Sequence, residues 1–217
     1  MTVLTPWAQQ GPGAACDSTA VRAPGGVWQQ QHRAAGVVPH TSIDPEAHWS
    51  KSGWHGWWYG WKLHLAVSSG SLWIPLAAEF TAANSADSDL APRVLIQLPA
   101  EVRDVLDDQH YNTPELRAAC ARHNRELVAT RRGPYPHPDG GGEVRRVFHR
   151  LRSQAMEPFK GLFNNIFEWG GQMPLKGLPR CQLVALGAVL LYHVVLFYQH
   201  HSHHPLGVGI KALLRAA

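Results

Sequence analysis

Apolar and polar positions alternate most regularly from Tyr59 onward, where Trp61, Leu63, Leu65 and Val67 interleave with Lys62, His64 and Ala66. A period of two belongs to a strand with one buried face. Ser68-Ser69-Gly70-Ser71 then offers a turn and Leu72 to Phe80 a second strand, so this stretch predicts a hairpin. Upstream, behind the break at Gly11 to Gly13, the small residues Ala14-Ala15-Cys16 predict a brief strand that ends at Asp17. Leu90, Val94, Leu95 and Leu98 carry the spacing of an amphipathic helix, with N-cap chemistry offered by Asn84, Ser85, Asp87 and Ser88 and a stop near Pro99. Val102 to Leu106 predicts a third core strand running into Asp107-Asp108. Thr113-Pro114-Glu115 predicts a cap, a first-turn proline and an early acid for a helix from Pro114 to about His123. Leu127 to Thr130 reads as another short strand.

Other segments lack these periods. Ala23 to Gly56 is rich in Gly, Pro, His and Gln and is expected to be a long excursion without strand or helix. A Gly/Pro-rich loop from Gly133 to Gly142 precedes a long helical stretch that begins near Glu143, with Val147, Leu151, Met156, Phe159, Leu162, Phe163 and Ile166 at its apolar positions and a kink at Pro158. The apolar run Leu183 to Tyr198 falls short of the ~20 residues of a membrane span. It contains Gly187 and His193 and predicts a helix covering the core, with no membrane partner. Strands early, helices interleaved and a helical C-terminal third predict an α/β fold around one mixed sheet.

Composition narrows the partners. The 217 residues are 45% hydrophobic and 17% charged, which excludes a disordered chain, and a chain of this length buries a substantial core. A net charge of +4 suits a polyanionic partner. Cys16, Cys120 and Cys181 are odd in number and lack zinc-ligand spacing, so they are expected to be small buried residues in a reducing compartment. The opening residues have no basic start followed by an apolar run, and a cytoplasmic location is expected.

The candidate chemistry lies in three acids. Asp17 and Asp108 end strand-like runs and Glu157 lies on the later basic helical stretch, an arrangement able to hold divalent metal for phosphoryl transfer. Taken singly, Asp17 beside Ser18-Thr19 and Asp108 near Asn112-Thr113-Pro114 also fit ordinary turn chemistry. Together with Asp17 through Ala23, Gly60 through Leu65, Phe80 through Asn84 with Asp87-Ser88, and Asp108 with Tyr111, they carry a resemblance. From Cys16 to about Gln199 the chain resembles the catalytic domain of insertion-sequence transposases with an Asp-Asp-Glu triad.

The resemblance implies a ribonuclease-H-like mixed sheet flanked by helices. In it Asp17 leaves the first central strand, Asp108 the fourth, and Glu157 sits on a helix packed against them, the three sharing Mg2+ or Mn2+. It implies hydrolysis of a DNA strand at a transposon end and attack of the freed 3′-hydroxyl on target DNA, with transposon-end and target DNA as partners and a homodimer in the full-length protein. It also implies three parts: an irregular leader over 1–12, the catalytic domain over 13–199 and a His-rich tail over 200–217 containing His200, His201, His203 and His204. Little chain precedes Asp17 for an end-recognition region, so an N-terminal truncation is expected.

Around Glu157 the chain departs from the family's helical signature of tyrosine, arginine, glutamate and lysine, with Arg150, Ser153 and Asn164 at the other three positions. The spacing keeps these residues near one helical face while the chemistry changes. Arg150 retains a positive charge and Lys160 can reach the same side. Two alternatives therefore stay open: a catalytically inactive DNA-binding remnant, and a ribonuclease-H-like nuclease. Among rival acids, Asp107 is expected to point away from Asp108, Asp44 lies in the excursion, and Glu168 returns to the helical face of Glu157. Arg145, Arg146, Arg150 and Arg152, near Arg131 and Arg132, are candidate phosphate contacts. Trp54 and Trp57, beside Lys51 and Lys62, are candidates to stack on unpaired bases, against the alternative that the tryptophans of this stretch pack the excursion onto the sheet.

Overall fold

The alternating run becomes the longest strand of a six-stranded sheet, with Trp61, Leu63, Leu65 and Val67 almost wholly buried. The computed structural model describes residues 13–53, 56–69, 74–108, 111–129 and 172–204. In chain order its elements are β1 (Gly13–Arg22), α1 (Gln30–Ala34), β2 (His48–Ser52), β3 (Gly56–Ser68), β4 (Pro75–Ala82), α2 (Asp87–Gln97), β5 (Asp104–Asp107), α3 (Pro114–Arg122), β6 (Glu126–Ala129) and α4 (Leu178–His201). β3 pairs antiparallel with β1, with β2 and with β4, whereas β5 runs parallel to β1 and β6 parallel to β5. The sheet order β2-β3-β1-β5-β6, flanked by helices, is the ribonuclease-H-like α/β arrangement the resemblance implies.

Two sheet faces follow from strand alternation. Ser18, Lys62, His64 and Glu79 share one face by register, and α2 lies on it, because Asp87 bonds Ser18 and Lys62 while Arg93 and Gln97 bond Glu79. Tyr59, Trp61, Leu63 and Leu65 point the other way, where Trp61 stacks on Phe80 with ring centroids 5.8 Å apart. On that side Tyr59 donates to the carbonyl of Asp44, whose carboxylate accepts from the Gly177 N–H at the start of α4.

Several expectations need correction. β1 does not end at Asp17 but runs to Arg22, because continuous pairing with β3 from Ala14 to Arg22 outweighs the local turn preference of Asp17-Ser18-Thr19. The excursion holds a short helix, α1, and an edge strand, β2, whose order comes from pairing with β3 rather than from an apolar period. The strand preceding Asp108 is consequently fifth in the chain. The N-cap of α2 is Ala86, with no side-chain cap bond, since Asp87 turns onto the sheet instead. Gly60, at φ 157°, allows the close approach of β1 to β3 at the end of their pairing, for a Cβ there would meet the Val21 carbonyl oxygen at 2.2 Å.

Other expectations hold. Thr113 caps α3, its Oγ1 accepting from Leu116 N–H at 3.2 Å, with Pro114 in the first turn. Leu98 is extended at ψ 142°, as a residue before proline must be, and ends α2. All three cysteines are free and buried. The apolar C-terminal run is helical from Leu178 to His201, taking in the first two histidines of the expected tail, and among the described residues its burial is confined to part of its surface. Cys181, Ala185, Ala188, Tyr192 and Leu196 are buried, while Leu183, Leu190, Val194, Phe197 and Tyr198 are exposed. By length and composition alone α4 is also long and apolar enough to cross a membrane. The expected Gly/Pro loop and the helix from Glu143 with its kink at Pro158 lie outside the described residues.

Candidate functional site

The parallel register of β1 and β5 pairs Ala14 with Val105 and Ala15 with Leu106. That pairing ends two residues before each acid, so Asp17 and Asp108 both follow it on neighbouring stretches of chain. Both are partly exposed. Asp17 lies mid-strand, where its Oδ1 accepts from the Ser18 N–H at 2.8 Å, and Asp108 follows the last residue of β5. Asp107 alternates to the opposite face and is 1% exposed, as expected of the acid that points away. Asp44 is buried too, and its carboxylate accepts from the N–H groups of Glu46 and Gly177, so it holds the start of α4 in place.

Glu157, its rival Glu168, Arg145, Arg146, Arg150, Arg152, Lys160 and Trp54 lie outside the described residues. Trp57 stands at the exposed start of β3, 59% exposed, far from the two aspartates.

On the α2 face is a polar network that the sequence reading did not assemble, Asp87 having been assigned to a helix cap. Asp87 receives a salt bridge from Lys62 at 2.9 Å and a hydrogen bond from Ser18 Oγ at 3.1 Å, and His64 Nδ1 stands 3.7 Å away. Lys62 also donates to the Ser85 carbonyl, and His64 Nε2 meets Thr81 Oγ1 at 3.0 Å. Burial drives the His64 pKa down to about 4, although Asp87 pulls it upward, with Lys62 and Arg93 adding to the depression. At neutral pH the imidazole is uncharged. The network ties the first turn of α2 to the strand bearing Asp17. Its signal was present in the segments Lys62-Leu63-His64 and Asp87-Ser88, which carry the resemblance.

A cavity of about 10 Å³, lined in part by Cys16, His64, Asp87, Asp107 and Tyr111, lies inside this region. That is room for about one water. Burial first, and then Asp107, push the Cys16 thiol up; burial and then Asp87 do the same to the Tyr111 hydroxyl. Both stay protonated at neutral pH, so neither is an activated nucleophile.

Among the described residues, no group of three or more His, Cys, Asp or Glu side chains can hold a metal ion. Asp17 and Asp108 offer carboxylate oxygens, and the neutral imidazole of His64 lies in the α2-side network. Such donors fit a hard cation like Mg2+ or Mn2+ and do not favour a soft one.

Residues 8–154 match the family model described as transposase DDE domain. No curated protein matches the chain. A matching solved structure is a cryo-EM structure of the simian T-cell lymphotropic virus intasome in complex with PP2A regulatory subunit B56 gamma. The match has 17% identity and a TM-score of 0.36, and covers 80% of this chain and 46% of that chain.

Proposed function

The chain belongs to the family of transposase DDE domains, and we propose that it cuts and joins DNA strands in transposition, with Asp17, Asp108 and Glu157 as the residues that hold Mg2+ or Mn2+. When bound, such ions activate an attacking oxygen and stabilise the oxygen leaving phosphorus. Asp17 and Asp108 contribute anionic oxygens from adjacent strands of a rigid sheet, and the Ser18 N–H orients Asp17. Water would be the first nucleophile, breaking a phosphodiester at the transposon end to release a 3′-hydroxyl; that hydroxyl would then attack a target phosphodiester, displacing the target strand's 3′-oxygen, which leaves as a hydroxyl by taking a proton from solvent while the attacking hydroxyl gives one up. Arg145, Arg146, Arg150, Arg152 and Lys160 neutralise DNA phosphates, and Trp54 and Trp57 meet bases. The catalytic unit spans 13–199 between a leader and a His-rich tail, and the full-length protein works as a homodimer in the cytoplasm.

The observation that most supports this reading is the parallel pairing of β1 with β5, Ala14 with Val105 and Ala15 with Leu106, which ends two residues before each acid. The test is nicking of duplex DNA bearing the element's ends, with and without Mg2+. Asp108→Asn is expected to lower metal-dependent cleavage by about 100-fold or more at an unchanged melting temperature. Cleavage equal to the parent's would remove Asp108 from the site. Ser153 and Asn164, standing where the family signature has arginine and lysine, favour a second reading: a DNA-binding remnant without activity. Salt-sensitive DNA binding with no metal-dependent cleavage by the unaltered chain is the result that reading expects.

A further inference from the structure

At the far edge of the sheet, β2 and the segment around α1 enclose a groove that the chemistry at Asp17 and Asp108 does not use. Its volume is about 560 Å³, and Gln29, Gln30, Gln31, Trp49 and Trp57 line it. Strand alternation buries Trp58 at 3% exposure and turns Trp57 outward at 59%. Trp49 is locked in place. Its Nε1 donates to the Trp28 carbonyl at 2.7 Å and its ring sits 5.4 Å from that of Tyr59. Trp28 is anchored in turn by donating to the Val37 carbonyl and carries the Arg33 guanidinium 4.8 Å from its ring. Lys51, opposite Trp57 in the β2–β3 register, holds its Nζ 5.6 Å from the Trp57 ring.

Among the described residues the lining holds flat aromatic faces and amides that both donate and accept, with no carboxylate, and Lys51 stands beside it over Trp57. Each part matches one component of an unpaired nucleotide: indole for the base face, glutamine for the base edge, ammonium for the phosphate. A blunt duplex hides its base faces in its own stack and can use only the lysine. We propose that this groove binds single-stranded DNA, with a base stacked on Trp57, a proposal that rests on the reading of the chain as a DNA-acting protein.

Trp57 is eight residues along β3 from Leu65, the partner of Asp17. That is about 26 Å of extended strand. The groove therefore grips DNA at a distance from the bond being cut, and its loss weakens binding.

The experiment measures fluorescence anisotropy of a labelled single strand, and of the same sequence as a blunt duplex, with the full chain in EDTA. Trp57→Ala is expected to weaken single-strand binding by about 10-fold and duplex binding by less than about 2-fold, while Trp57→Phe retains most of the affinity. Lys51→Ala should reduce the salt dependence of single-strand binding by about one ion. Equal loss on both DNAs, or no loss on either, overturns the proposal. If Trp57→Ala does not fold by circular dichroism, Gln30→Ala and Lys51→Ala, both at exposed side chains, carry the same comparison. Because the assay contains no metal, it is independent of cleavage. A chain that prefers single strands but never cuts would retire the catalytic reading and leave the groove standing, whereas a chain that cuts without that preference would do the reverse.

Discussion

His64 is a histidine whose charge is decided by burial against an acid close at hand. Asp87 lies 3.7 Å from its Nδ1, yet the ring is 3% exposed and its pKa falls to about 4 from the ordinary 6.5. Between those values the unfolded chain binds a proton that the native chain refuses. Stability is therefore full above pH 6.5 and declines as pH falls toward 4, by about 2 kcal/mol at pH 5 from this residue. His48 and His193, also lowered chiefly by burial, shift stability in the same direction. Urea midpoints at pH 7.5 and pH 5 test this. His64→Gln should shrink the difference between the two pH values by about 2 kcal/mol, and an unchanged difference would mean another group controls the acid sensitivity.

Individual elements are held by contacts of very different legibility. The Thr113 cap of α3 can be read from three consecutive residues. The end of α2 cannot, because its carbonyls are satisfied by Arg125, from beyond α3. The Arg125 guanidinium donates to the carbonyls of Leu95 at 2.6 Å, Leu98 at 2.8 Å and Pro99 at 3.1 Å, and its Nε to Val102 at 3.3 Å. The planar fork serves several acceptors at once, which an ammonium on a flexible stem does not. Arg125→Ala should cost about 3 kcal/mol or more in chemical denaturation, since it strands buried carbonyls. Arg125→Lys should recover less than half of that loss, and full recovery would show that charge alone suffices.

Across the whole molecule, α4 divides by face. Leu196 is 0% exposed against the core, whereas Leu190 is 62% and Leu183 75% exposed on the opposite side. Leu196→Ala should therefore lower stability by about 2–5 kcal/mol. Leu190→Glu should change it by no more than about 0.5 kcal/mol. Denaturant midpoints of the two variants check the assignment, and a large loss in Leu190→Glu would show that its face is covered in solution.

Local period and capping were enough for the sequence to determine the hairpin of β3 and β4, the helices α2 and α3, the strand before Asp108 and the free buried cysteines, because each depends on residues a few positions apart. The mixed ribonuclease-H-like sheet and the pairing of Asp17 with Asp108 as candidates followed from the likeness of segments in order. Tertiary structure decided the rest. β1 extends past Asp17 only because β3 pairs with it, β2 exists only as a partner for the start of β3, and Asp87 leaves its capping role for Lys62 and Ser18 across the sheet. These are contacts between residues tens of positions apart, whose energies outweigh local preference and leave no mark in any short window of the chain.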